Sequence, residues 1–386
     1  MTVLSLPELR ALRLDAQLLR GSVPDDGTNA RSGPAADPVD AVVTVVERLV
    51  ALQGQDLPAV QRAIALRAGV GLEAVAAAFA GGRIVRGWPM RGTLFVTTPR
   101  DLATLGMHTR AQAVSGLARR REQLGLTSAI VDRAAAAGLA RLALAPATRA
   151  ELLETWREAG IDVNGQRGYH LIATLSQAGL WHWGALRDGR EQELVASAGV
   201  IALGEGDGDA SRAFVRILLG YLDGHGPAAL ADLAWWTKAP RTVLRRALAD
   251  AGDQVVAVRL EAADGPELLA RPAHLARLGE VATPAAEEVH LLPAFDEYYL
   301  GYADRSPIAS PAVQAAIVPG GNGIFRPTVL SAGRAVGTWA RGTRKADPPA
   351  VIDLLEPVPA RTRRALDALP ASASQVQEAE RERSRR

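Results

Sequence analysis

The sequence predicts an α+β protein in which three tandem winged helix-turn-helix units precede a C-terminal β-barrel-like domain. Apolar residues at helical spacing give way to a short hairpin pattern three times along the chain. From about residue 287, short β-rich runs separated by Gly and Pro replace that pattern. The length of 386 residues, with 48% hydrophobic and 22% charged residues, is that of a folded multi-domain chain.

The first unit, residues 1–100, is predicted from four helical segments and a basic hairpin. A Gly-, Pro- and Asp-rich stretch without apolar periodicity indicates an inserted loop at 21–38. The run RIVRGWPMRGTLFVTT at 83–98 reads as two strands around a Gly-Trp-Pro turn. The helical segments are 8–20, 39–52, one that begins near Asp56, and 72–80.

Two further units, the β-rich domain and a tail complete the predicted organisation. The second unit, 101–207, is helical to residue 179 and then opens a hairpin with LWHWGAL. The third, 208–286, contains AALADLAWWTKAPRTVLRRAL, in which a Lys-Ala-Pro corner between two helices is a helix-turn-helix signal. The β-rich domain covers 287–370, and the polar end, 371–386, is predicted to be a disordered tail.

The charge and residue usage allow nucleic acid as a partner without requiring it. The net charge is +2, and of the 44 lysines and arginines only Lys238 and Lys345 are lysines. Arginine is the side chain best suited to bidentate phosphate contacts. The absence of cysteine excludes disulfides, thiolate metal sites and a cysteine nucleophile. The six histidines have no metal-binding spacing, so we expect neither a metal nor another cofactor.

The N-terminus and the hydropathy pattern predict where the chain works. The first ten residues already include charged side chains, and no uncharged apolar run reaches 18 residues. We therefore expect no signal peptide, no membrane span and a cytoplasmic location. Because the three units lie in one chain, we also expect a monomer.

Five segments resemble the AlkZ/YcaQ-type family of winged-helix DNA glycosylases, and the resemblance extends over most of the chain. It implies three winged helices and a β-barrel in a C-shaped molecule that cradles double-stranded DNA. It also implies hydrolysis of the N-glycosidic bond of N7-alkylated purines, in some members within interstrand crosslinks. The segments are LVALQGQDLPAVQRAIALR (49–67), RGTLFVTTPRDL (91–102), DLAWWTKAPRTVLRRAL (232–248), HLLPAFDEYYLGYADR (290–305) and GIFRPTVLSAGRAVGTW (323–339).

The resemblance places the family's catalytic glutamine–X–glutamine element at Gln53-Gly54-Gln55, with Gly where an apolar side chain is usual. In a continuous helix, side chains two residues apart diverge by about 200°. We expect Gly54, at positive φ, to end one helix before the next begins, so that both carboxamides converge on one water. Asp56 is predicted as the cap of that next helix, or alternatively as a residue that orients Gln55.

Two neutral amides suit a substrate that already carries positive charge. A purine alkylated at N7 is a good leaving group and needs no general acid. Positioning of the water and electrostatic complementarity then supply the rate. Glutamine is a poor proton acceptor, so neutral bases should be poor substrates. With no nucleophilic lysine near the motif, we expect a monofunctional glycosylase without a lyase step.

Candidate DNA contacts lie around the first hairpin and on the third recognition helix. Each arginine has solvated surface charge as its alternative interpretation. Trp88 is an intercalation candidate at the turn, whereas Trp235 and Trp236 are predicted to be core residues. Asp296 and Glu297, on a predicted strand, should face opposite sides and have structural or DNA-contacting roles. The arginines are Arg83, Arg86 and Arg91 at the hairpin and Arg241, Arg245 and Arg246 on the helix.

A non-catalytic winged-helix DNA-binding protein, such as a transcriptional regulator, is the rival hypothesis. The glutamine motif distinguishes the two, because a regulator has no use for it. The sequence leaves open which alkyl lesion is preferred, whether crosslinks are unhooked and whether the base is flipped. General repair and self-resistance in an antibiotic producer are equally open.

Overall fold

The computed structural model describes residues 2–20, 37–200, 210–261, 266–281, 283–342 and 350–368. The predicted inserted loop lies outside these residues as far as residue 36, and the predicted tail at 371–386 lies wholly outside them.

Six of the nine described helices of the first two predicted units begin at a capping side chain. Ser5 and Thr148 each form a capping box with a glutamate three residues on, and Asp37 and Thr98 cap helices that open with proline. The helices are α1 (Leu6–Ala16), α2 (Pro38–Leu49), α3 (Leu57–Ala68), α4 (Leu72–Ala80), α5 (Pro99–Gly116), α6 (Ala118–Gln123), α7 (Ser128–Leu144), α8 (Arg149–Glu158) and α9 (Arg167–Gln177).

The predicted helix-turn-helix of the third unit is present as a pair of helices, α11 (Leu230–Thr237) and α12 (Arg241–Ala251). Lys238, in the left-handed conformation, ends the first of them, and Pro240 precedes the second. The remaining described helices are α10 (Ala210–His225), α11 (Leu230–Thr237), α12 (Arg241–Ala251), α13 (Pro272–Ala276), α14 (Glu297–Leu300), α15 (Pro311–Ile317) and α16 (Ala360–Ala368), with 3-10 turns at Gly252–Gln254, Arg277–Gly279 and Pro319–Gly321.

Twelve strands within the described residues form three sheets. Each sheet is open, and antiparallel pairs dominate. The strands are β1 (Thr2–Leu4), β2 (Ala51–Gln53), β3 (Val85–Met90), β4 (Thr93–Thr97), β5 (Trp181–Arg187), β6 (Glu191–Ala196), β7 (Val256–Leu260), β8 (Leu268–Ala270), β9 (Val289–Leu292), β10 (Thr328–Ser331), β11 (Arg334–Arg341) and β12 (Ala350–Leu354).

Two of the sheets draw strands from more than one predicted unit. The five-stranded sheet has the order β2-β4-β3-β5-β6, so the hairpins of the first and second units form one surface. Strand β1, from the N-terminus, pairs in parallel with β7 of the third unit. The recurring order of helices followed by a hairpin is present, whereas the arrangement as three tandem winged helices, with the boundaries given above, stays a prediction.

The C-terminal region is not a β-barrel, so that prediction is wrong. Its four strands form an open sheet in the order β12-β11-β10-β9. Two segments of the region predicted to be β-rich are helical instead, α14 (Glu297–Leu300) and α15 (Pro311–Ile317). Asp296 caps α14, and Ser310 followed by Pro311 starts α15. Local capping signals outweigh the β-rich composition there, and too few strands remain for the sheet to close.

The largest cluster of buried side chains joins the third unit to the C-terminal region. It includes Tyr221 of α10, Trp236 of α11 and Tyr298 of α14, all essentially inaccessible to solvent. Ala51 of β2 belongs to the same cluster. Complete burial of side chains of this size stabilises the fold by about 1.5–3 kcal/mol each. Strand β2 is therefore held against the most extensive part of the core.

Candidate active site

The glutamine motif lies at the end of a strand, not at a kink between two helices as predicted. Helix α2 ends at Leu49, and Val50 then adopts a φ of 64°, a conformation that β-branched residues rarely occupy. The chain reverses there and forms β2, in which Gln53 pairs with Phe95 of β4. The apolar run before the motif is equally compatible with helix and strand, and its partner strand lies about forty residues further on.

Gly54 serves the close approach of two strands and does not have the positive φ that was predicted. A Cβ atom at Gly54 would lie 3.2 Å from the Phe95 carbonyl carbon and from the Val96 nitrogen. The Gly54 N–H donates to the Leu94 carbonyl over 2.7 Å. Gly54 therefore lets the backbone stay close to β4 just beyond the end of β2.

The two glutamines differ in their surroundings. Gln53 is buried, and its side-chain oxygen has no hydrogen-bond partner within the described part of the chain. Gln55 is exposed, and its side-chain oxygen accepts the Leu94 N–H over 3.3 Å. One carboxamide thus offers an unused acceptor, while the other has its acceptor fixed by the neighbouring strand. Asp56 accepts the Ala59 N–H over 2.9 Å, which confirms its predicted role as a helix cap.

Arg86 is partly buried and binds the main chain of the motif. Its Nε donates to the Gly54 carbonyl over 2.7 Å, and Nη2 donates to the Gln55 carbonyl over 3.4 Å. Nη1 donates to the Gln192 side chain over 2.9 Å. Burial lowers the pKa of Arg86 to about 10, and the nearby carboxylate of Asp56 opposes that shift. Contact of Arg86 with a phosphate stays a prediction.

Glu297 lies directly behind Gln53, although it is 244 residues away in sequence. The Gln53 main-chain N–H donates to Glu297 Oε2 over 3.2 Å. Trp236 Nε1 donates to Glu297 Oε1 over 2.5 Å, and His225 Nε2 is 3.3 Å from the same oxygen. Burial raises the pKa of Glu297, but the His225 hydrogen bond and the charge of Arg91 outweigh it, so the pKa lies below its usual value.

Asp296 and Glu297 have separate partners, Arg67 and Gln53, although they do not lie on opposite faces of a strand as predicted. They start helix α14 and are not on a strand. Asp296 forms a buried bidentate ion pair with Arg67, with N–O distances of 2.8 and 2.9 Å. The contact of Glu297 with the motif was missed, and its only sequence signal is an acidic residue inside the apolar run AFDEYY.

The first hairpin turns at Arg91-Gly92, not at Gly-Trp-Pro. Both turn residues have positive φ, 56° and 67°, as a type I′ turn requires. Trp88 therefore lies within β3, where it is 6% exposed and packs edge-on against Trp183 at 4.8 Å between ring centroids. Its predicted position at the turn is wrong, and a side chain so enclosed does not fit the role of an intercalating wedge.

The other predicted DNA contacts are on the surface. Arg241, Arg245 and Arg246 are exposed on α12, and Arg246 forms an ion pair with Asp250 at 2.9 Å. Arg83 is half-exposed and forms an ion pair with Asp40 at 3.1 Å. These positions are compatible with phosphate contact, which stays a prediction for each residue.

Comparison with known proteins identifies the family. The family model described as DNA glycosylase AlkZ-like matches residues 46–374. The chain belongs to this family of DNA glycosylases. The rival hypothesis of a regulator outside the glycosylase families is thereby disfavoured.

Two relatives of this AlkZ-like chain come from Streptomyces sahachiroi. One, named an interstrand DNA cross-link repair glycosylase, is 28% identical over 128 residues, which are 32% of this chain and 33% of that protein. The solved structure of Streptomyces sahachiroi DNA glycosylase AlkZ has a TM-score of 0.75 and is 22% identical; the match covers 97% of this chain and 98% of that one. The latter similarity concerns the fold.

A cluster of cations around Trp235 adjoins the glutamine motif of this AlkZ-like chain. Arg91 lies 4.6 Å, Arg305 5.0 Å and Lys238 5.6 Å from the centre of an indole ring that is only half-buried. Arg91 also covers Phe95, the strand partner of Gln53, at 4.9 Å. Burial lowers the pKa of Arg91 and of Arg305. The prediction that Trp236 is a core residue is confirmed, whereas Trp235 is partly accessible.

The described residues of the AlkZ-like chain lack two features, a cluster of metal ligands and a single helix able to span a membrane. No group of three or more His, Asp or Glu side chains is placed there to hold a metal ion. Within the same ranges, no single helix has both the length and the apolar character needed to cross a membrane.

Proposed function

We propose that this chain is a monofunctional DNA glycosylase that hydrolyses the N-glycosidic bond of cationic N7-alkylated purines. The observation that carries the proposal is the buried side-chain oxygen of Gln53, two residues before Gln55, which has no hydrogen-bond partner among the described residues. A buried acceptor without a partner is costly unless a ligand or water uses it. Family membership supplies the reaction class.

In the proposed mechanism a water donates one hydrogen bond to Gln53 and accepts another from the Gln55 amide. Gln55 can present its NH₂ group because its oxygen already accepts the Leu94 N–H. The water oxygen bonds to C1′ as the bond from C1′ to N9 breaks. The bonding electron pair goes to N9 and neutralises the base, and the water proton passes to solvent. No group on the protein needs to protonate the leaving base.

Cationic side chains near the site need a compensating negative charge, because the base and the developing sugar cation are both positive. The ionised Glu297 lies behind Gln53 and partly compensates Arg91. Arg91, Arg305 and Lys238 around Trp235 are suited to the phosphates that flank the damaged nucleotide. The exposed Arg241 and Arg245 would add salt-dependent contacts further along the duplex.

A duplex that contains one N7-methylguanine tests the proposal. We expect release of the methylated base, measured by chromatography, and strand cleavage only after hot alkali. Gln53→Ala and Gln55→Ala should each slow single-turnover release by about 100-fold, since each removes one of two groups that orient the water. Gln314→Ala, a helix residue bonded to the Ala309 carbonyl, is the control and should match wild type.

Three results would contradict the proposal. Release of unmodified guanine at a rate like that of N7-methylguanine would mean that the leaving group does not decide selectivity. Full activity in both glutamine variants would remove the assigned mechanism. Trapping of a covalent protein–DNA adduct by borohydride would replace the monofunctional reaction by a lyase mechanism.

We extend the proposal to interstrand crosslinks, because the Streptomyces sahachiroi relative is named for their repair. A crosslink through N7 of two purines presents the same cationic leaving group at each end. The same assay on a crosslinked duplex should give two separable strands from wild type and none from Gln53→Ala. If monoadducts are hydrolysed while crosslinks persist, this extension fails and the basic activity stands.

A further inference from the structure

The carboxylate of Glu297 is buried next to the glutamine motif. Its side chain is inaccessible to solvent, and an ionised carboxylate in such a place needs donors at each oxygen. Those donors come from three distant parts of the chain: the Gln53 main chain, the Trp236 indole and the His225 ring. Burial of a charged group beside a candidate site is typical of functional positions.

Strand β2 needs an outside partner on the side where Glu297 lies. It is only three residues long and is the edge strand of the five-stranded sheet. Its other edge is paired with β4, so the Gln53 N–H on the free edge has to find an acceptor elsewhere. Glu297 Oε2 is that acceptor.

The neighbouring carboxylate shows what a purely structural role looks like in the same segment. Asp296 binds the Arg67 guanidinium through both oxygens and caps the Tyr298 N–H. Arg67 in turn holds the main-chain and side-chain oxygens of Gln17. That network fastens α14 to α1 and α3. Glu297 is thus free of the task of anchoring its own helix and directs both oxygens toward β2 and the third unit.

We propose that Glu297 is a positioning residue for glycosidic bond hydrolysis. One oxygen fixes the main chain of Gln53, and the other is fixed by Trp236 and His225, so that the Gln53 side-chain oxygen is held at one place relative to the sugar. The inference rests on the proposed function and names a residue that acts on the water only through Gln53. Displacement of a catalytic group by about 1 Å can cost about 100-fold in rate.

Single-turnover release of N7-methylguanine tests the kinetic part. Glu297→Gln keeps the size of the side chain but places an NH₂ group opposite donors, and it should slow release about 30- to 100-fold with the duplex Kd within about twofold. Trp236→Phe keeps the charge and removes one donor, so an intermediate loss of about 3- to 10-fold is expected. Asp232→Asn is the control: another buried carboxylate nearby, which accepts the Ala229 N–H, should lose less than about threefold.

Two further measurements separate positioning from a general loss of structure. In Glu297→Gln the Gln53 amide of the full chain should exchange its hydrogen about tenfold faster or more, while the Ala59 amide bonded to Asp56 keeps its rate. The effects of Gln53→Ala and Glu297→Gln on release should not multiply, because the second acts through the first.

Several outcomes would overturn the inference. They are multiplicative effects of the two substitutions, an equal loss in Asp232→Asn, weaker DNA binding with an unchanged release rate, and an unchanged exchange rate of the Gln53 amide. If wild type releases no base at all, the proposed function fails, and the exchange measurement alone still decides whether Glu297 holds Gln53 in place.

Discussion

The buried ion pair between Arg67 and Asp296 gives the sharpest prediction about stability. The substitution Asp296→Asn removes the negative charge and keeps the side chain's shape. Arg67 would remain wholly buried, with its bonds to the Gln17 and Ala63 carbonyls but without a counter-charge. Removal of one partner of such a pair is strongly destabilising because the other charge stays in the interior.

The expected loss of unfolding free energy is about 3–5 kcal/mol. Asparagine also caps helices, so the bond to the Tyr298 N–H survives in this variant. Asp296→Ala removes that cap as well, and should cost about 1 kcal/mol more. The double variant Arg67→Met with Asp296→Leu removes both charges, and should recover most of the loss, because the cost of desolvating the pair disappears with it.

Urea unfolding of the full chain, followed by tryptophan fluorescence and by far-ultraviolet circular dichroism, measures these differences. The midpoint should fall at constant slope, since the surface exposed on unfolding does not change. A loss under about 1 kcal/mol in Asp296→Asn, or a double variant no more stable than the single one, would refute the reasoning. Either result would mean that the Arg67 charge reaches water.

Three further predictions concern pH, packing and salt. Burial lowers the pKa of His274 to about 3, below the value of about 6.5 for a free histidine. The stabilising contribution of the neutral ring is fully present above about pH 6.5, and below that pH the free energy of unfolding should fall by about 1.4 kcal/mol per pH unit. Urea unfolding of His274→Gln should show a correspondingly flatter dependence on pH. Gly54→Ala should push β2 from β4 by a few tenths of an ångström. The release rate of N7-methylguanine should fall clearly, while the melting temperature changes little. Arg241→Ala with Arg245→Ala should reduce the slope of log affinity against log salt by about 1.8, whereas the exposed control Arg157→Ala should leave it unchanged.

The helices were predictable because their signals are local. The predicted segment 72–80 coincides with α4, and Asp56 caps the next predicted helix as expected. The Lys-Ala-Pro corner separates α11 from α12, where Lys238 adopts the left-handed conformation. In each case the deciding signal is local: apolar periodicity in α4, a side-chain cap at Asp56 and a backbone turn at Lys238.

The strands were harder, because their partners lie far along the chain. The run before Gln53 continues the apolar period of α2, and only its pairing with β4 makes it a strand. The Gly-Trp-Pro sequence resembles a turn, yet Arg91-Gly92 provides the paired positive φ values that a two-residue hairpin needs. In the C-terminal region the β-rich composition predicts strands at two places where Asp296 and Ser310 cap helices instead.

The candidate site divides in the same way between local and distant contributions. The motif itself could be named from sequence, while the groups that hold it, Arg86 and Glu297, come from other elements. The predicted kink would bring two side chains to one side, although side chains two residues apart diverge on a continuous helix. In the structure the two residues do not share a helix or a strand: β2 ends at Gln53, Gly54 stays close to β4, and Gln55 lies in a bend beyond it. Strand β4 nevertheless holds both residues, because Gln53 pairs with Phe95 and the Gln55 side-chain oxygen accepts the Leu94 N–H. Convergence of the two carboxamides on one water stays a proposal.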